Sequence, residues 1–223
     1  YLHPGAVVGV GWGDTVARAL AMLAEESLEG VTLASAAGSI QAIAQSLAGD
    51  PKVAHHLRVV PAPLLVSSPE AATMLRAEQT VREVLELASS ATVTLTGIGA
   101  AGPGASAVRS QLLTEAEVAT YAAMGAIGDM LGEWFDAHGR IVSAATSNRR
   151  IGLSLDQLRT MPNVVAVAGG REKAEAVLGA ISNAKNKGLD PAELEDDFFA
   201  NLAVAYQNEL RAQNAVDFDD LLL

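Results

Sequence analysis

Residues able to hold an anion or a polyol recur in this chain at the ends of apolar β-type runs. Val7-Val8-Gly9-Val10 leads into Gly11-Trp12-Gly13-Asp14-Thr15 and then into an Ala/Leu-rich stretch ending at Leu23, which reads as a strand, a glycine turn and a helix. Gly11 and Gly13 let a backbone turn tightly and approach a ligand, because no Cβ intervenes. Asp14 or Thr15 caps the helix, whose uncovered N–H groups would face whatever sits over the turn, typically a phosphate. An ordinary strand-to-helix turn is the other reading of the same residues. Three more small-residue turns are expected after strands, at Ala34 to Ser39, Gly97 to Gly102 and Gly169-Gly170. Asp129, after Gly125-Ala126-Ile127-Gly128, either caps a helix or accepts hydrogen bonds from sugar hydroxyls. Lys173 falls in the first turn of a helix, where the dipole disfavours a cation. It either reaches an anion at the Gly169-Gly170 turn or is a solvated surface lysine.

Other chemistries find no support. Gly97-x-Gly99-x-x-Gly102 matches a dinucleotide fingerprint, but Pro103-Gly104-Ala105-Ser106 does not continue as a helix and the pattern lies in mid-chain. No phosphate loop ending in Gly-Lys-Ser/Thr and no Gly-x-Ser-x-Gly nucleophile elbow is present. His3, His55, His56 and His138 show no metal-site spacing, and with no cysteine in the chain thiolate sites and disulfides are excluded. Neither a metal nor a cofactor is expected.

The elements that must position these residues alternate. Short β-type runs at 7–10, 31–33, 57–66, 92–96, 141–143 and 163–168 are separated by helix-length segments, among them Ile40 to Leu47, a helix begun by Ser68-Pro69, Thr80 to Ala88, one opened by the Thr114/Glu117 capping box, Ser154 to Met161 and Arg171 to Ile181. A second amphipathic helical piece is expected after the Gly125–Asp129 turn, through Phe135. Strands joined by crossovers imply an α/β fold with a mostly parallel sheet covered on both faces. Ligands of such sheets sit at the carboxyl ends of the strands, at a switch point.

Length and composition allow one large α/β domain, or one domain with an appendage: 223 residues, 50% hydrophobic, 4% aromatic, with formal net charge −11, which argues against a nucleic-acid surface on this piece. No run approaches the roughly 18 apolar residues of a membrane span. A start at Tyr1, without Met or leader, suggests a fragment. From Asp190 onward nine acids face Arg211 alone, whereas the preceding residues are close to charge balance.

In combination, Gly9-Val-Gly-Trp-Gly-Asp-Thr-Val-Ala, Thr96-Gly-Ile-Gly, Met124-Gly-Ala-Ile-Gly-Asp-Met-Leu-Gly-Glu-Trp-Phe, Asn148-Arg-Arg-Ile-Gly-Leu and Val165-Ala-Val-Ala-Gly-Gly-Arg-Glu-Lys-Ala resemble the SorC family of sugar-binding transcriptional regulators, over roughly residues 5–181. The resemblance implies a three-layer αβα fold of the sugar-phosphate isomerase/CoA-transferase type and a cytoplasmic effector-binding domain rather than an enzyme. Residues 1–181 would bind a sugar or sugar phosphate and form a homo-oligomer, dimer or tetramer. Ligand occupancy would control operator DNA through an N-terminal helix-turn-helix region that lies outside this chain. Carried over by position, Gly11, Gly13, Asp14 and Thr15 would form the first binding turn. Ala37, Gly38 and Ser39 would form the second, Gly97 to Gly99 the floor, Asp129 a hydroxyl acceptor, and Gly169, Gly170 and Lys173 the anion site. An acid at position 14 costs Coulomb energy beside a phosphate, so its side chain turns away or the effector is unphosphorylated. A sugar-phosphate isomerase or deaminase on the same fold, with Asp129 or Glu133 as base, is the alternative. After Ile181 the chain departs from the family pattern. Residues 182–223, with Asp217-Phe-Asp-Asp-Leu, resemble part of a UvrD-like DNA helicase, so they are expected to be an acidic helical tail.

Overall fold

A computed structural model describes residues 3–13, 15–20, 28–39, 51–102 and 104–167. The first strand, β1 (Val7–Val10), is β-branched and nearly all buried, as a strand hydrogen-bonded on both sides requires. Helical residues 15–20 follow, with Val16 and Leu20 fully buried. β2 (Thr32–Ser39) runs parallel to β1, and β3 (Leu57–Pro63), reached through α1 (Pro51–Ala54), runs parallel to β2. β3 lies at one end of the sheet, and its Pro61 and Pro63 are tolerated there because an edge strand leaves donors unused.

The chain then returns through α2 (Pro69–Ala77) and α3 (Gln79–Ser89). α2 starts where the Ser68 hydroxyl accepts the Ala71 N–H at 3.2 Å, with proline in the first turn. α3 buries Val81 and Ala88 and packs over β1, β2 and β3. β4 (Val93–Ala100) comes back on the other side of β1, again parallel. Beyond it lie α4 (Ser106–Arg109), α5 (Glu115–Ala123), the antiparallel β5 (Ala126–Met130), β6 (Glu133–Asp136) and β7 (Ile141–Val142), a 3-10 turn at Ser147–Arg149, α6 (Leu155–Arg159) and β8 (Val164–Val167). The order is β3-β2-β1-β4-β5-β6-β7, with β8 pairing parallel to β4. This is a mixed α/β fold on a curled sheet whose central strands are parallel. The expected Thr114/Glu117 capping box forms, and Ser154, where a helix was expected to begin, forms a second one with Gln157. Among the described residues no helix is long and apolar enough to cross a membrane.

Three local expectations differ from the structure. Ala34 to Ser39 is the body of β2 and not a turn, and its residues are small because they are squeezed: Ala34, Ala36 and Ala37 are wholly buried between β1, β3 and segment 150–153. Gly97 to Ala100 likewise continues β4. Gly125 to Phe135 forms no helix. Gly125 ends α5 with a positive φ, and the chain then makes the β5–β6 hairpin, turning at Leu131-Gly132, where φ is 53° and 78°. A two-residue hairpin turn with both φ positive matches strand twist, and the apolar spacing that reads as helical is the buried alternation of two facing strands. β8 is the expected last strand, but only partly buried, with Val165 46% exposed. The expected helices at 40–47 and 171–181 and the tail 182–223 lie outside the described residues.

Candidate functional site

The chain leaves β1 to build β2 and β3 on one side and returns to build β4 on the other. Loops after β1 and β4 therefore diverge and open a crevice at the strands' carboxyl ends. A cavity of about 230 Å³ lies there. Trp12, Gly13 and Thr15 supply one wall, Gly97, Ile98 and Gly99 the β4 floor, and Asp129, Leu131 and Gly132 the hairpin wall. Trp12 is fastened by its indole N–H, which donates to the Ala37 carbonyl at 2.9 Å.

Five of the sequence-predicted residues thus converge: Gly13, Thr15, Gly97, Gly99 and Asp129. Gly99 and Asp129 face each other across the antiparallel pairing of β4 and β5. A Cβ on Gly99 would stand only 1.8 Å from Asp129 Oδ1, so the carboxylate lies directly over the glycine backbone. Its other oxygen accepts the Gly132 N–H at 3.2 Å. The acid is thus built on a strand opposite a glycine and does not cap a helix.

Gly11 sits below the cavity. Its N–H donates to Leu95 at 2.8 Å, and a Cβ there would meet Thr96 Oγ1 at 2.7 Å and Leu131 Cδ2 at 2.8 Å. Gly38 and Ser39 do not line the cavity. Gly38 donates to the Ile151 carbonyl at 2.9 Å and lies so close to β3 that a Cβ would be 2.4 Å from the Pro63 oxygen. Ser39 Oγ donates to Ala62 at 3.4 Å. Asp14, Gly169, Gly170 and Lys173 lie outside the described residues.

Sequence reasoning missed the opposite rim, where Ser106, Arg109 and Ser110 of α4 and its end line the cavity. Arg109 is the one cationic side chain among the described lining residues, and its Nη1 donates to the Gly104 carbonyl. The available signal was Ser and Arg in a short Gly/Pro-bounded segment directly after the β4 strand end. The cavity therefore offers a carboxylate acceptor, serine and threonine hydroxyls, glycine backbone and one guanidinium. That set suits a small polyhydroxylated ligand carrying or lacking an anion. Glu133 stands outside it. Its Oε1 pairs with Arg150 at 3.0 Å and its Oε2 accepts the Leu155 N–H at the start of α6. Among the described residues no cluster of His, Asp and Glu could hold a metal ion.

A family model described as "Putative sugar-binding domain" matches residues 1–189. The chain is 35% identical over 195 residues to the transcriptional regulator LsrR of Klebsiella pneumoniae, covering 84% of this chain and 59% of that protein. Among solved structures, a DeoR family transcriptional regulator from Listeria monocytogenes superposes with a TM-score of 0.67 at 25% identity, covering 78% of this chain and 71% of that one. The full-length sorbitol operon regulator SorC from Klebsiella pneumoniae gives 0.65 at 22% identity over 80% of this chain and 60% of its own, a likeness of fold. These matches bring no support to a helicase origin for residues 182–223.

Proposed function

Because the chain belongs to this family of sugar-binding domains, we propose that it is the effector-binding and oligomerisation domain of a cytoplasmic transcriptional regulator. The ligand is a sugar or sugar phosphate held in the switch-point cavity. One observation carries the reading: the fold brings Thr15, Gly97, Gly99 and Asp129 together with Ser106, Ser110 and Arg109 around a single cavity of sugar size. Asp129 accepts sugar hydroxyls, the glycines of the floor admit the ring against backbone, and Arg109 faces an anionic substituent. Gly169, Gly170 and Lys173 complete the anion end in this proposal, and Asp14 belongs to the first binding turn with its side chain directed away from any phosphate.

Ligand binding biases one arrangement of a homo-oligomer over another, and operator affinity changes by the difference in ligand affinity between them. DNA is contacted through a region outside this chain, which spans 59% of the length of the Klebsiella relative. Residues 1–181 form the ligand-binding unit and 182–223 an acidic appendage whose removal leaves binding intact. A sugar-phosphate isomerase or deaminase is not favoured: of the two candidate bases, Glu133 is committed to Arg150 and Leu155.

A thermal-shift screen of sugars and sugar phosphates tests the proposal. One compound at saturation should raise the Tm by several degrees, since ligand linkage at about 100 times Kd contributes roughly 2.7 kcal/mol. Asp129→Asn should abolish most of that shift for phosphorylated and plain sugars alike, and Arg109→Met only for phosphorylated ones. No shift with any compound, or chemical conversion of the bound sugar, would overturn it.

A further inference from the structure

Behind the cavity lies a buried charge that the proposed ligand chemistry does not use. The Arg150 side chain is 8% exposed. Burial pulls its pKa down from the ordinary guanidinium value, and the Glu133 carboxylate opposes that shift. Nη2 pairs with Glu133 Oε1 at 3.0 Å, while Nη1 donates to the carbonyls of Leu131 at 3.2 Å and Leu153 at 2.8 Å. The aliphatic stem runs beneath Gly132, where an added Cβ would lie 3.3 Å from Arg150 Cδ. Arg150 therefore holds the β5–β6 turn by a hydrogen bond at Leu131 and lies with its stem beside Gly132.

That turn needs holding. Leu131 has φ 53° in the left-handed region, which a branched side chain occupies only when its surroundings over-determine it. Gly132, the second turn residue, donates its N–H to the Asp129 carboxylate. Arg150 and Asp129 also share a chamber of about 20 Å³ that adjoins the main cavity and has room for one water. The Arg150 backbone carbonyl is in turn held by Arg76 Nε at 3.1 Å, which ties segment 150–153 to α2.

We infer that Arg150 is the positioning residue of the site: by holding Leu131 and lying beside Gly132 it sets the turn whose amide orients the Asp129 carboxylate. The inference rests on the reading of Asp129 as the group that receives sugar hydroxyls. A lysine at 150 can still neutralise Glu133, but it lacks the planar fork that sets one nitrogen on the carboxylate and a second on the carbonyls of Leu131 and Leu153.

The test uses the full chain without ligand, comparing wild type with Arg150→Lys, Asp129→Ala, their combination, and Arg149→Lys as control. Arg149 is the neighbouring arginine, which pairs with Glu117 at 3.3 Å. Amide hydrogen exchange is followed by NMR at Gly132 and, as the sheet reference, at Gly11. Arg150→Lys should accelerate exchange at Gly132 by about tenfold or more with Gly11 unchanged, and Arg149→Lys should leave both at wild-type rates. Adding Arg150→Lys to Asp129→Ala should have little further effect, because alanine removes the acceptor of the amide through which both act. Wild-type protection of Gly132 in Arg150→Lys, equal acceleration at Gly11, or fully additive effects would overturn the inference. A wild-type protein that binds no sugar would overturn the functional reading instead, and the exchange result would still decide the role of Arg150.

Discussion

Replacing Gly99 by alanine probes the site with a single methyl group. The Gly99 φ is not in the positive range, so alanine meets no backbone strain there and the effect is steric. The new Cβ would stand 1.8 Å from Asp129 Oδ1 and 2.9 Å from its Cγ, whereas real Cβ contacts do not fall below 3.0 Å. The oxygen must therefore retreat by about 1.2 Å or more. Rotation of the Asp129 side chain is the easy route, because the opposing backbone is tied into the β4–β5 pairing. Rotation breaks the Gly132 N–H contact at 3.2 Å. A hydrogen bond to a charged group contributes about 1.5–3 kcal/mol, and removing a glycine from the unfolded chain returns about 0.4–1 kcal/mol. The net loss of stability is then about 0.5–2.6 kcal/mol, or roughly 1–10 °C in Tm for a chain of this size. If Asp129 accepts the ligand hydroxyls as proposed, affinity falls further because its carboxylate has moved: about 10- to 100-fold for one charged hydrogen bond. Isothermal titration calorimetry with the best compound of the screen measures this, alongside Asp129→Asn and the double variant. Wild-type affinity in Gly99→Ala, or a double variant whose losses simply add, would refute the placement of Asp129 at the ligand.

Gly38→Ala should behave in the opposite way. Its Cβ would press on the Pro63 carbonyl at 2.4 Å, a backbone atom of the neighbouring strand, and overpacking of this kind costs about 1–3 kcal/mol. Urea denaturation should show that loss, with ligand affinity of the folded protein unchanged. The Thr114 backbone N–H, followed by its hydroxyl, holds the Glu117 carboxyl below its ordinary 4.5. A depressed folded-state pKa contributes stability above the ordinary glutamate range and loses it as pH falls through the folded value. The Tm difference between wild type and Glu117→Gln should therefore be present at pH 7 and vanish as pH drops below 4.5. Glu117 is partly exposed, so that difference is small.

Much of the architecture was legible locally. Ser68-Pro69, Thr114 with Glu117, and Ser154 with Gln157 mark helix starts through contacts that span three residues or fewer, and those helices stand where they were expected. β-Branched runs located β1, β4 and β8, but β4 runs on through Gly97 to Ala100, past the glycines expected to end it. Small residues misled. Alanine and glycine satisfy a tight turn and a crowded strand equally well. Ala34 to Ser39 are small because β1, β3 and segment 150–153 crowd them, and such crowding is invisible until distant segments are packed.

The site divides the same way. Gly13 and Thr15 owe their place to the end of β1, which the sequence by itself determined, whereas Gly97 lies inside β4, which only the structure extends to Ala100. What Asp129 does was decided only in three dimensions: it works opposite Gly99, thirty positions away, through a hairpin whose turn is clamped by Arg150. Arg109 enters the cavity because the segment after β4 folds back over the switch point. Caps and turns are short-range geometry written in neighbouring residues. A carboxylate seated on a glycine and a guanidinium under a turn depend on strand pairing across the chain, and only the tertiary structure supplies that pairing.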